Sequence, residues 1–448
     1  MKINPLLHTI IVLVTATTFG QIGTRFPSEK KTIKDPVTGQ ELIFLTTKSA
    51  GDSKTYPTHP QWTSDGKWLV FRSNRVKGEA IAVNEKSGVL VQVTEGGYNG
   101  TLCIAQKSMK LYFMRKGQED KIQIIEVNLA SVFEDSKSGK MKPVSAYERV
   151  CGMTNPEMGA SGDMALDADE GSVYFRVGKE EAAKHLTAGV TLEKSFGPRN
   201  MGAGPGGIGS MNLKTGELKH VISVPFQIGH IQSNIWNPGE IIFCWETGGK
   251  SPQRTWTVMA DGTGLRPLYP ESDFEWVTHE AVISKDEVAM AIMGHRKIDI
   301  EKDPPVEVAA NGEIRNPVNP GQESNWGATG TREKPTGLAI VNLRTREMII
   351  AGQTKSGSGL WHVHGSADGR WAVGDDFSRS LYLIDRKTNE MIMLTTGHKE
   401  TAADHLHPTF NRDGTKIEIQ SAMLSEDNRT MNICIVNVPK KWLKRKVE

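Results

Sequence analysis

The chain has only four cysteines, Cys103, Cys151, Cys244 and Cys434, widely separated and with no C-x-x-C pair. That spacing speaks against a thiolate zinc site or a dithiol redox motif. Three of the four lie in apolar strand-like runs, where cysteine acts as a small hydrophobe. Net charge is also scarce: 54 Lys and Arg against 52 Asp and Glu leave a formal +2. Such balance offers neither nucleic acid nor a membrane surface an electrostatic footprint. No apolar run is long enough to span a bilayer, and amphipathic helical periodicity is nearly absent.

The N-terminus carries Lys2, a largely apolar stretch from Leu6 to Val14, and small residues near Gly20. This order reads as a secretory signal peptide over 1–20, cleaved near Gly20-Gln21. An uncleaved N-terminal strand or helix is the alternative. Cleavage would release an exported protein, periplasmic or secreted, with no membrane span.

What the chain does have is repetition. Seven segments share a short strand, a polar turn and an apolar alternating strand, clearest in Trp62–Phe71 and Phe410–Ile419 with their Asp65-Gly66 and Asp413-Gly414 turns. Most are followed by a second strand pair around turns such as Lys214-Thr215-Gly216, which suit tight hairpins. Four strands per unit in seven units predict an all-β, seven-bladed β-propeller over 21–448. The last unit lacks a good fourth strand, and Glu41–Thr46 can supply it, closing the ring and protecting its edges. Two insertions, near 178–206 and 296–335, interrupt the pattern. The Gly-rich run Gly202–Gly207 in the first lacks the strand-then-helix setting of a phosphate loop and reads as a flexible loop. With no Gly-x-Ser-x-Gly elbow, a propeller-capped serine peptidase is excluded, and the Asp residues lie mostly in turns, so no glycosidase carboxylate pair stands out.

Seven of the twelve histidines fall at one position of the repeat, at the start of the innermost strand: His59, His230, His279, His362, His364, His405 and His407. If the units surround an axis, these side chains ring one mouth of the channel. Neutral imidazoles there can hold a divalent transition metal, or they can satisfy backbone groups in the channel. His279, His405 and His407 are the expected metal ligands. His362 and His364 are open between ligand, substrate contact and structural roles, and His59 between substrate contact and strand start.

The runs Gly229-His230, Arg254-Thr255-Trp256, Thr278-His279-Glu280 and His405-Leu406-His407-Pro408 resemble the oligogalacturonate lyases. That resemblance implies a propeller with a manganese-type ion that cleaves short galacturonides by β-elimination. It further implies that His279, His405 and His407 carry the metal and that His230 and Arg254 act near the substrate. The partner would be a uronic-acid oligo- or polysaccharide. Two positions depart from the family: its fourth ligand, a Gln, corresponds to Ala402, and its Arg base to Ser210, with Arg199 of the first insertion a substitute. A non-catalytic, TolB-like propeller that binds glycan or protein is the alternative from another class.

Overall fold

The computed structural model describes residues 20–195, 201–247, 251–272, 275–294, 337–352 and 359–445. Arg199, the signal segment apart from Gly20, and the insertion 296–335 lie outside the described residues.

Seven antiparallel sheets follow one another along the chain. Their first strands are Asp52–Lys54, Asn99–Ile104, Ser161–Leu166, Ile228–Ser233, Glu275–Ser284, Val363–Gly365 and Thr409–Phe410 in blades one to seven. Each forms one end of its sheet, and the first strands of blades two to seven touch in turn, so they line the axis. Ring closure follows the sequence: Glu41–Phe44 pairs with Asn432–Asn437, Ile43 opposite Ile435, inside blade seven. A further strand, Arg25–Phe26, adds to the outside of blade one. The fold is a seven-bladed propeller.

Both faces of a blade are covered by its neighbours, which explains second strands with hardly a polar residue, such as the wholly buried Glu240–Trp245. The packed clusters sit between blades. Val173, Phe175 and Met211 of blade three meet Cys103, Tyr112 and Met114 of blade two, and Leu45, Leu69 and Phe71 meet Ile433 and Ile435 across the closure. Burial of each Phe or Leu contributes about 1.5–3 kcal/mol, so the ring is held by interface after interface. All four cysteines are buried and free. Among the described residues, no helix is long and apolar enough to cross a membrane.

Two features differ from the sequence reading. A helix, Leu129–Ser138, joins two strands of blade two; Asn128 caps it by accepting from Ser131 N–H, Val132 and Phe133 are buried, and left-handed Gly139 ends it. The Gly-rich run is not a flexible loop. Ala203–Asn212 is a strand paired with Leu218–Phe226. A Cβ at Gly206 would come within 2.5 Å of the Phe226 carbonyl oxygen. The glycines are there because the strand packs backbone to backbone.

Candidate active site

The geometry of the mouth begins with the backbone. His230, His279 and His407 have φ of 50°, 54° and 52°, a left-handed conformation that costs a non-glycine residue roughly 1–3 kcal/mol. In blades four and five this residue sits at a register shift, between Gly229 and Gln232 and between Thr278 and Ala281. A bulge of this kind re-aims a side chain out of the strand's alternation. Blade two has the same shift between Asn99 and Cys103, and there the left-handed residue is Gly100. The propeller thus repeats one bulge, and some blades place histidine on it.

Five imidazoles converge as a result. The ring of His362 lies 4.0 Å from that of His279, 4.0 Å from that of His407 and 5.1 Å from that of His405. Tyr56, just after the first strand of blade one, enters the same space. Its ring is 4.9 Å from His230, 5.1 Å from His407 and 6.1 Å from His362, and its hydroxyl hydrogen-bonds His279 Nδ1. His362 and His407 are buried, while Tyr56, His230, His279 and His405 are partly open to solvent. Trp361 flanks them, 4.6 Å from His279, with Phe377 4.9 Å beyond it.

Carboxylates stand behind the rings. Asp375 accepts from His405 Nδ1 at 3.1 Å and from the backbone N–H groups of Leu406 and His362 at 3.0 and 2.8 Å. Glu280 lies 3.0 Å from His230 Nδ1 and receives Arg254 Nε at 2.9 Å. Burial by itself would raise the Glu280 carboxyl, but the Arg254 and His230 cations outweigh it and hold it down at about 2. Burial likewise disfavours the His230 imidazolium, yet Glu280 and Glu246 leave it raised above the usual histidine value. His279 and His362 go the other way. Burial and neighbouring histidines lower both, His362 to about 3, which favours the neutral form of each ring. Burial pushes the Tyr56 phenol well above 10.

This donor set suits a divalent ion. Among the described residues, His279 Nε2 is buried without a hydrogen-bond partner, an arrangement that is costly unless something fills it, and His362 Nδ1 faces only the Asp375 carboxylate, 3.5 Å away. A carboxylate behind a ligating histidine is the usual outer shell of a metal site. Among the described residues, two sets of three donors lie mutually within 4.8 Å: His362, Asp375 and His405, and His230, Cys244 and Glu280. In the second set Glu280 is committed to Arg254, and burial drives the Cys244 thiol well above 9, against thiolate ligation.

The expected site residues separate in space. His279, His405 and His407 are drawn together around His362, and His230 joins them through Tyr56. Arg254 is buried behind His230, its guanidinium spent on Glu280. His59 has both ring nitrogens engaged, by the Met164 carbonyl and the Thr58 hydroxyl. His364 accepts from Phe410 N–H and lies near Lys54. Ala402 sits in the turn before His405, and Ser210 on the third strand of blade three. Sequence reasoning missed Tyr56, Glu280 as an acid and Asp375. The available signals were Tyr56 three residues ahead of His59, and Asp375 on the strand following His362 and His364.

No protein-family model matches the chain, and no curated protein matches it in sequence. Solved structures do match. An oligogalacturonate lyase in complex with manganese superposes with a TM-score of 0.68 at 16% identity, covering 94% of this chain and 100% of that one. An oligogalacturonate lyase from Vibrio parahaemolyticus gives 0.67 at 16% identity with the same coverage. TolB from Acinetobacter baumannii reaches 0.36 at 10% identity, over 89% of this chain and 64% of that one, a level that carries no argument. At 16% identity the likeness establishes that this chain shares the propeller fold of the oligogalacturonate lyases, the fold that the sequence resemblance implies.

Proposed function

We propose that the protein is an exported, metal-dependent lyase that cleaves uronic-acid glycans by β-elimination. The observation that carries this reading is the convergence of neutral imidazoles, His279 with its unpartnered Nε2 and His362 backed by Asp375, at the mouth of a propeller with this fold. His279, His362, His405 and His407 are the ligands, His362 supplying the donor that Ala402 lacks. Asp375 orients His405 through Nδ1. When bound, a divalent ion such as manganese supplies Lewis acidity toward a uronate carboxylate, which makes the C5 proton more acidic.

The proton steps belong to the chain's own residues. His230, backed by Glu280 at Nδ1, has the arrangement of a general base, with the carboxylate stabilising the imidazolium that forms. It takes the C5 proton as the C4–oxygen bond breaks. Tyr56, neutral and central, gives its phenolic proton to the leaving oxygen. The imidazolium proton is then lost to water and the phenolate regains one from water, which restores both groups. Arg254 is a positioning residue that holds Glu280 in place. Export is supported by Lys2 and the apolar stretch that follows it.

The test is absorbance of the unsaturated uronide. Purified protein with added manganese is incubated with a panel of galacturonate and glucuronate glycans, with and without a chelator. A chelator-sensitive rise on one of them is the expected result. Absence of product on every glycan, with no ion retained, would favour a binding propeller instead.

A further inference from the structure

His405 and His407 sit on a turn of blade seven that is held from blade one. Gln420, on the second strand of blade seven, Lys416–Ser421, is buried. Its Nε2 donates to the His405 carbonyl at 2.9 Å and to Asp404 Oδ2 at 3.2 Å, and lies 3.5 Å from His407 Nδ1. Its backbone N–H donates to the Leu406 carbonyl at 3.0 Å. One residue thus touches Asp404, His405, Leu406 and His407 in succession. The amide oxygen points the other way and accepts from the backbone N–H of Lys54 in blade one at 3.2 Å.

Lys54 reaches the same turn by a second route. Its Nζ donates to Thr409 Oγ1 at 2.7 Å, and that hydroxyl donates to the His407 carbonyl at 3.3 Å. Two residues back, Asp52 N–H bonds the Met431 carbonyl of blade seven at 2.9 Å. The turn needs such a hold. His407 has φ of 52°, which a non-glycine residue keeps only where its surroundings impose it. Asp404 Oδ1 stands 3.3 Å from His407 Nε2, and Gln420 fixes that carboxylate through its other oxygen. A buried amide costs desolvation free energy that only its hydrogen bonds offset. The bonds of this amide end on the turn that carries the two histidines and on the neighbouring blade.

We propose that Gln420 is a positioning residue for His405 and His407, and that it couples ion retention to closure of the ring between blades seven and one. This role rests on the metal part of the reading above and does not depend on elimination. Coupling of this kind is reciprocal. An ion that fixes the turn also fixes the seam, through Gln420 and Lys54.

Manganese titration calorimetry and amide hydrogen exchange test this on the full chain, wild type and Gln420→Met, without glycan. Methionine keeps the volume of the side chain and removes all its hydrogen bonds. Loss of a residue that orients ligands predicts manganese affinity about 10- to 100-fold weaker. In the wild type, saturating manganese should slow exchange across 52–55 by about 5-fold or more, and leave Ser172–Val177 of blade three unchanged. In Gln420→Met that slowing should vanish even when manganese is saturating. A purely structural Gln420 would lower the melting temperature and leave both affinity and manganese-dependent protection as they are, which would overturn the assignment. Exchange across 52–55 that manganese does not slow in the wild type would overturn it as well, whether or not the variant folds. A wild type that retains no manganese would sink this role and the metal site together. Retention and protection without product on any glycan would uphold Gln420 and sink only the lyase.

Discussion

Glu280→Gln tests the electrostatic frame behind the mouth. Glu280 is fully buried, with one oxygen 3.0 Å from His230 Nδ1 and the other 2.9 Å from Arg254 Nε. Arg254 Nη2 is itself only 3.4 Å from His230 Nδ1. Without the carboxylate, the nearest acid to the guanidinium is Glu246, 3.8 Å away. Removing one member of a buried ion pair while the other stays charged costs about 3–5 kcal/mol. The neutral amide also cannot sustain the raised His230 value, so the pH at which His230 loses its proton falls. Urea unfolding reads the first effect: the Glu280→Gln midpoint should drop by that amount divided by the unfolding slope. The double variant Glu280→Leu/Arg254→Met, with no unpaired charge, should recover most of the loss, because apolar replacement of a whole buried pair is often neutral. A single-variant loss below about 1 kcal/mol, or a double variant no better than the single, would refute the claim that this pair is held by mutual charge.

Three further outcomes follow from the same geometry. His362→Ala should leave the fold intact while weakening manganese retention at least about 10-fold by metal analysis, whereas His59→Ala should lower stability and leave retention unchanged. Tyr56→Phe should reduce kcat by about 10²- to 10⁴-fold with metal content preserved; full turnover would remove Tyr56 from the proton path. Lys54 and Glu418 form a fully buried pair 3.9 Å apart, where burial lowers Lys54 to about 8 and raises Glu418 to about 7. Between about 4.5 and 7 the folded Glu418 keeps a proton the unfolded chain has lost, so its contribution to stability falls as pH rises. Between about 8 and 10.4 the unfolded Lys54 holds the extra proton, so stability rises with pH. Urea midpoints of the wild type minus those of Lys54→Met/Glu418→Leu should therefore pass through a minimum near pH 7–8, and a flat difference would contradict the assignment.

The fold was legible because a propeller is written in local signals. Alternating apolar strands and Asp-Gly or Thr-Gly turns recur, and the missing last strand was matched by the spare Glu41–Thr46. The helix Leu129–Ser138 was not legible, since its apolar face is short and its start and stop rest on Asn128 and Gly139. The Gly-rich run misled because glycine marks both flexible loops and close backbone packing. At the mouth, the recurrence of histidine at one repeat position anticipated that His230, His279, His362, His405 and His407 would lie together.

The sequence by itself thus determined the blades, the closure of the ring and the presence of imidazoles at its axis, because each depends on periodicity and on turn chemistry along the chain. Only the tertiary structure separated the seven histidines. His59 and His364 turn to backbone groups, while His362 lies between His279 and His407. It also brought in Tyr56, Glu280 and Asp375, whose roles come from blades far apart in sequence meeting at one axis. Burial and charge pairing belong to that meeting. They are properties of distances between blades, and no stretch of a single chain segment encodes them.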